Sequence, residues 1–244
     1  MVQRMFREHW ERHAADWIAW ARRPRHDAYW DYAPAFFDGI MPQAGERTLE
    51  IGCGEGRVTR DLLERRHRVI AIDWSPTLLA AARDADERAT YIRADAARLP
   101  FADASFDLVV AYNSLMDMDD LMSVVSEIGR VLSRAGRLAM CVTHPTADAG
   151  AFEDRTPGAA FRIERSYLGS RRFTATFERA GLAMTFDGNA HPLEVYAEAL
   201  ERAGLLIERI REPAAPRTAI DEDPSEARWA RLPLFLFLRA VKRD

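Results

Sequence analysis

Leu49-Glu50-Ile51-Gly52-Cys53-Gly54-Glu55-Gly56 places three alternating glycines between a strand-like run and a helix-like run. Glycines there let the backbone turn sharply and let a ligand lie against main-chain amides at a helix N-terminus. The chemistry offered is the binding of something small and polar. A dinucleotide loop, G-x-G-x-x-G, requires glycine at position 57, where this chain has Arg57, so nicotinamide and flavin cofactors are disfavoured. Two histidines are candidate general bases. His144, followed by Pro145, ends a later strand-like run, where open parallel sheets present ligands, and His191 begins the stretch after a hairpin-like segment.

The elements that must position these residues follow from the apolar rhythm. Strand-length runs at Thr48 to Ile51, Val69 to Ile72, Ala89 to Ile92, Asp107 to Ala111 and Arg137 to Val142 alternate with helical patterns at Arg57 to Arg66, Pro76 to Ala85 and Asp119 to Leu132. Such alternation implies right-handed crossovers and a parallel sheet covered on both faces. Ser75 caps a helix opened by Pro76, and Asp119 or Asp120 caps the next. After Pro145 the rhythm stops. Arg171 to Glu178 and Leu182 to Phe186 read as a hairpin turning at Arg179 to Gly181, inserted near the active face. A helix from Pro192 to Ala203, a strand from Leu205 to Ile210, a loop from Glu212 to Pro224 and a strand from Leu234 to Val241 complete the chain. Before the sheet, Trp10, Trp17 and Trp20 share one helical face, and a second helix after Pro24 runs through Phe37 to near Gly39. Two cap helices are expected, and Tyr29 and Trp30 are candidates to close over a bound cation.

The 244 residues, 48% hydrophobic and 30% charged, suit one domain with a real core rather than a disordered chain. Its parts read as a helical cap at 1–44, a ligand-binding core at 45–144, an insertion or lid at 145–190, and a C-terminal helix with the last strands at 191–244. Neither a membrane span nor a secretory leader is expected, and a cytoplasmic location follows as the default. Cys53 and Cys141 are expected to be reduced. A net charge of -4, with 34 basic residues scattered among 38 acidic ones, gives no footprint for nucleic acid. No metal is expected, since Asp117, Asp119 and Asp120 lack an obvious remaining shell.

The glycine spacing after Glu50 resembles motif I of the class I S-adenosylmethionine-dependent methyltransferases, and the likeness extends over residues 46 to 143. Val69 to Asp73 resembles the second strand ending in the acid that holds the ribose. Tyr91-Ile92-Arg93-Ala94-Asp95-Ala96 is similar to the segment whose aspartate accepts from the adenine amine. Leu99-Pro100-Phe101 and Ser105-Phe106-Asp107, then Arg130-Val131-Leu132 and Gly136, match further stretches. The resemblance implies a Rossmann-like, mostly parallel seven-stranded sheet with its last strand antiparallel, and S-adenosylmethionine as cofactor. It implies that Glu50, Gly52, Cys53, Gly54, Gly56, Asp73, Trp74, Asp95 and Ala96 hold that cofactor, with Asn113, Ser114 and Leu115 along its methionine end. Where many small-molecule members have a histidine, this chain has Asp117, a third candidate base. The activity implied is methyl transfer to nitrogen or oxygen of a small acceptor, a secondary metabolite or a heteroaromatic or quinone-type compound, by a monomer or homodimer. An RNA- or protein-directed enzyme and a non-catalytic cofactor-binding protein are the alternatives.

Overall fold

The computed structural model describes residues 5–45 and 47–243; positions 1–4 of the expected cap, 46 and 244 lie outside the described residues. Strands β1 (Thr48–Ile51), β2 (Val69–Asp73), β3 (Thr90–Arg93), β4 (Phe106–Tyr112), β5 (Leu132–Thr143), β10 (Leu205–Arg211) and β11 (Phe235–Lys242) form one seven-stranded sheet. Its order is β10-β11-β5-β4-β1-β2-β3. β1 is buried at every residue, as a strand covered on both faces must be. Only β11 runs against its neighbours, pairing antiparallel with both β5 and β10. The chain lays β2 and β3 on one side of β1 and β4 on the other. The strand order therefore reverses at β1/β4, and a crevice opens beyond their carboxyl ends.

Helices α4 (Arg57–Glu64), α5 (Pro76–Ala85), α6 (Leu121–Val131) and α8 (Leu193–Arg202) cover the sheet. One core packs Val124, Ile128, Tyr196 and Leu200 against its first face; the other packs Phe36, Ile40, Leu62 and Leu79 against the second. The caps sit where expected. Ser75 Oγ accepts from the Leu78 amide at 3.1 Å, and Asp120, rather than Asp119, accepts from the Ser123 amide at 3.0 Å.

Among the described residues three helices, not two, precede the sheet. The first stretch breaks at His13 into α1 (Met5–Arg12) and α2 (Ala14–Arg22). The third, α3 (Tyr29–Gly39), is part of the core rather than a cap, since Phe36 is 0% exposed. α2 packs on the insertion hairpin, strands β8 (Arg171–Arg179) and β9 (Leu182–Ala190), and also on α5. The hairpin turns through Ala180 and Gly181, both at positive φ (48° and 80°), the geometry of a two-residue primed turn. Ahead of it lie a short helix α7 (Pro145–Asp148) and a two-stranded sheet of β6 (Gly150–Phe152) and β7 (Phe161–Ile163). The expected loop from Glu212 to Pro224 contains a further helix, α9 (Arg217–Glu222). No described helix is long and apolar enough to cross a membrane.

Candidate active site

At the end of β1 the chain turns through Gly52 (φ 69°) and Gly54 (φ 56°), a region where side chains are disfavoured. The turn points the Gly54 amide at Asp73 Oδ2, 2.8 Å away, and the Ser75 amide reaches Oδ1 at 2.9 Å. Each oxygen thus keeps acceptor capacity for an outside donor. Burial pushes the Asp73 carboxyl up, opposed by the backbone donors from Ser75 and Gly54. Beyond β4, Asn113 takes a left-handed conformation (φ 49°), which asparagine tolerates, and its amide donates to the Cys141 carbonyl at 2.8 Å. Ser114 Oγ donates to the Ile51 carbonyl at 2.7 Å, so the two turns are fastened together.

Beneath the loop, Glu50 is buried and accepts from Thr59 Oγ1 at 2.5 Å. Burial pushes its carboxyl from the usual 4.5 up to about 8, against the hydrogen bond from Thr59. A folded-state value above the unfolded one means that the folded form holds the proton more firmly. This contribution to stability is complete below about 4.5 and is lost as pH rises through about 8. Glu50→Gln keeps an acceptor for Thr59 without the titration. Its melting temperature should gain on the unmodified protein between about pH 5 and pH 8 and level off above that, and a gap independent of pH would contradict the burial account.

The crevice beyond β2 and β3 is covered by α1. Arg7 forms an ion pair with Asp95, whose Oδ1 also accepts from the Ala97 amide at 2.9 Å. The Arg7 guanidinium lies 4.5 Å from the Trp74 ring centroid, and Arg93 lies 4.8 Å from it. A cap helix thereby touches the two residues that follow β2 and β3. α2 is tied to the glycine loop in the same way, through Arg22 Nε at 2.9 Å from Glu55.

A cavity of about 820 Å³ runs from this end into the cap. It takes in Glu50, Gly52, Cys53 and Gly54, then Asp73 and Trp74, Asp95 and Ala96, and finally Asn113, Ser114, Asp117 and Tyr29. Its far end is walled by rings. Trp10, Trp17 and Trp20 pack edge-on around Phe186 of β9, at 6.4, 6.0 and 6.1 Å between centroids. Tyr29 donates its hydroxyl to Asp61, and its ring carries the Arg57 guanidinium at 4.2 Å.

Several expected residues fall elsewhere. Trp30 is 40% exposed and outside the cavity, because the helix that buries Tyr29 on one side turns the next residue outward. Leu115 is fully buried in the core, not beside the cavity. Gly56 caps α4 in the left-handed conformation, behind the lining. His144 bonds Glu212 Oε1 at 2.8 Å and accepts from the Thr146 amide at 3.1 Å, so its ring caps α7 instead of entering the cavity. His191 bonds Ser170 Oγ at 2.6 Å beside a separate small hollow, and burial pushes its pKa down. Of the three candidate bases only Asp117 lines the cavity. Burial pushes its carboxyl well above the ordinary range, and repulsion from Asp187, Asp148 and Asp73 adds to this. Arg7, Tyr112, Asp148 and Phe186 also line it and escaped the sequence reading. The aromatic density of the hairpin was the one signal for Phe186.

With this geometry the sheet defines an α/β class with a crevice where its strand order reverses, and comparison with known proteins makes the class specific. The family model described as a methyltransferase domain matches residues 49–140. The 27-O-demethylrifamycin SV methyltransferase of Amycolatopsis mediterranei (strain S699) is 36% identical over 134 residues, 47% of this chain and 49% of that protein. The demethylmenaquinone methyltransferase of Tropheryma whipplei (strain Twist) is 34% identical over 122 residues, 49% of this chain and 50% of that protein. The chain thus spans about half the length of the curated relatives it matches. A crystal structure of an S-adenosylmethionine-dependent methyltransferase from Mesorhizobium loti superposes with a TM-score of 0.71 at 26% identity, covering 88% of this chain and 98% of that one. Over residues 49–140 the chain therefore matches a methyltransferase domain, and it shares its fold with a solved S-adenosylmethionine-dependent methyltransferase.

Proposed function

We propose that the protein transfers a methyl group from S-adenosylmethionine to nitrogen or oxygen of a small acceptor of aromatic, heteroaromatic or quinone type. One observation carries the reading: a single cavity joins the Asp73 and Asp95 carboxylates to a chamber walled by aromatic rings. The residues fit the cofactor. The Asp73 oxygens, each already held by one main-chain amide, retain lone pairs for a ribose diol, and Asp95 faces the nucleoside end. When bound, the cofactor supplies a methyl group on a positively charged sulfur, primed for in-line displacement. The chain's task is to align donor and acceptor and to exclude water. Gly52 and Gly54 let the backbone approach, Arg7 and Arg22 hold α1 and α2 over the site, and Phe186 closes the chamber from the hairpin. For a hydroxyl acceptor, Asp117 is the side chain suited to take the proton.

Labelled S-adenosylmethionine incubated with a bacterial metabolite extract, with total RNA and with total protein tests the acceptor class. Label is expected in the small-molecule fraction alone. Label in RNA or protein would move the acceptor to a macromolecule, and bound cofactor without transfer to any fraction would favour a non-catalytic role.

A further inference from the structure

Most acids lining the cavity have a partner. Asp27 pairs with Arg57 at 2.7 Å, Glu50 accepts from Thr59, Glu55 is held by Arg22 and Arg60, and Asp95 pairs with Arg7. Asp73 is held by two main-chain amides. Asp117 and Asp148 differ, since among the described residues neither carboxylate takes part in a hydrogen bond or an ion pair. Arg171, the nearest cation to Asp148, donates to that residue's main-chain carbonyl instead.

Both acids line the one cavity, Asp117 from the turn after β4 and Asp148 from the last residue of α7. They follow the carboxyl ends of the neighbouring parallel strands β4 and β5 and lie near enough to repel each other. Burial pushes Asp148 up to about 7 and Asp117 well above its ordinary value, the response of carboxylates that lack a counter-charge. The same cavity is lined by the rings of Trp17 and Tyr29, over which the Arg57 guanidinium lies at 4.9 and 4.2 Å, so its aromatic wall already accommodates one cation. The hydroxyl of Tyr112, a residue 7% exposed that lines the same cavity, has no hydrogen-bond partner among the described residues.

We infer that the acceptor is an arylalkylamine whose ammonium group is received by the carboxylates of Asp117 and Asp148 within the ring-walled chamber, one carboxylate taking the ammonium proton so that the freed nitrogen lone pair can displace the methyl group from sulfur. This rests on the methyltransferase reading and narrows its acceptor. A cation there supplies the missing counter-charge, whereas a carboxylate-bearing acceptor would add a third like charge to the pair. An alcohol would satisfy one oxygen and leave the charge unmatched.

Calorimetric titration of the full chain, with and without S-adenosylhomocysteine, tests this with tryptamine, tryptophol and indole-3-propionate, and with phenethylamine, its alcohol and its acid. The amines should bind at least about tenfold tighter than the matched alcohols, and the acids weakest. Asp117→Asn and Asp148→Asn should each erase about tenfold of the amine preference, and Asp148→Asn should leave alcohol binding unaffected. Both variants should melt no lower than the unmodified protein at neutral pH, because each removes a carboxyl that burial makes costly to ionise. Asp148→Asn should bind S-adenosylhomocysteine as before. Amines that bind no better than alcohols, or not at all, overturn the inference, as does a preference that survives both substitutions. Failure of S-adenosylhomocysteine to bind would instead overturn the methyltransferase reading beneath it.

Discussion

Asp73→Ala is expected to bind S-adenosylhomocysteine at least about a hundredfold more weakly, removing about 2.7 kcal/mol of ligand-linked stabilisation at saturating ligand. Two charge-assisted hydrogen bonds to a diol, each contributing about 1.5–3 kcal/mol, account for an effect of that size. The variant also strips the acceptor from the Gly54 and Ser75 amides, at 2.8 and 2.9 Å in the intact protein. The glycine loop therefore loses the contact that fastens it to β2. Thermal melts over a ligand titration separate the two consequences. The ligand-free melt reports the loop, and the shift added by ligand reports the ribose contact. A variant that melts lower without ligand yet gains as much from S-adenosylhomocysteine as the unmodified protein would refute the ribose role while sparing the structural one.

What the sequence made legible, and what it did not, divides along the range of the forces involved. The five strands Thr48–Ile51 to Leu132–Thr143 and the helices between them were readable because a doubly covered strand is an unbroken apolar run and its punctuation is local. Asp73 was singled out by the resemblance, as the acid that ends such a run. The break at His13 was hidden, since Trp10 and Trp17 still meet, at 5.6 Å between centroids, across a helix junction only one residue long. Helical periodicity survives so brief an interruption. His144 and His191 were placed at the right ends of the right elements, but their rings answer to Glu212 and Ser170, partners no local pattern reveals. Arg7 is the plainest case. Nothing near it in sequence marks it, and its role follows wholly from Asp95, 88 residues on. Conversely, Asp148 lay unmarked in a Pro-initiated turn that looks like a loop until the cavity is seen behind it.

The second large effect is expected at Gly52. A methyl group built there would lie 2.5 Å from Ser114 Cβ and 3.1 Å from Ser114 Oγ, at a φ of 69°. Ser114 cannot swing aside. The clash is with its root carbon, the residue is buried, and its hydroxyl is bonded to the Ile51 carbonyl. Gly52→Ala therefore combines left-handed strain of about 1–2 kcal/mol with overpacking of about 1–3 kcal/mol, and should cost the fold about 3 kcal/mol in chemical denaturation. Gly181→Ala isolates the first part: its φ is 80° with nothing within 4 Å, so it should cost about 1 kcal/mol. Ser114→Gly added to Gly52→Ala isolates the second, because it removes the carbon that is struck. The double variant should recover most of the overpacking loss although Ser114→Gly alone is destabilising, since it gives up the bond to Ile51. Simple additivity of the two substitutions would show that the β1 and β4 turns do not press on each other at this point. It would also remove the steric reason for a glycine at the end of β1.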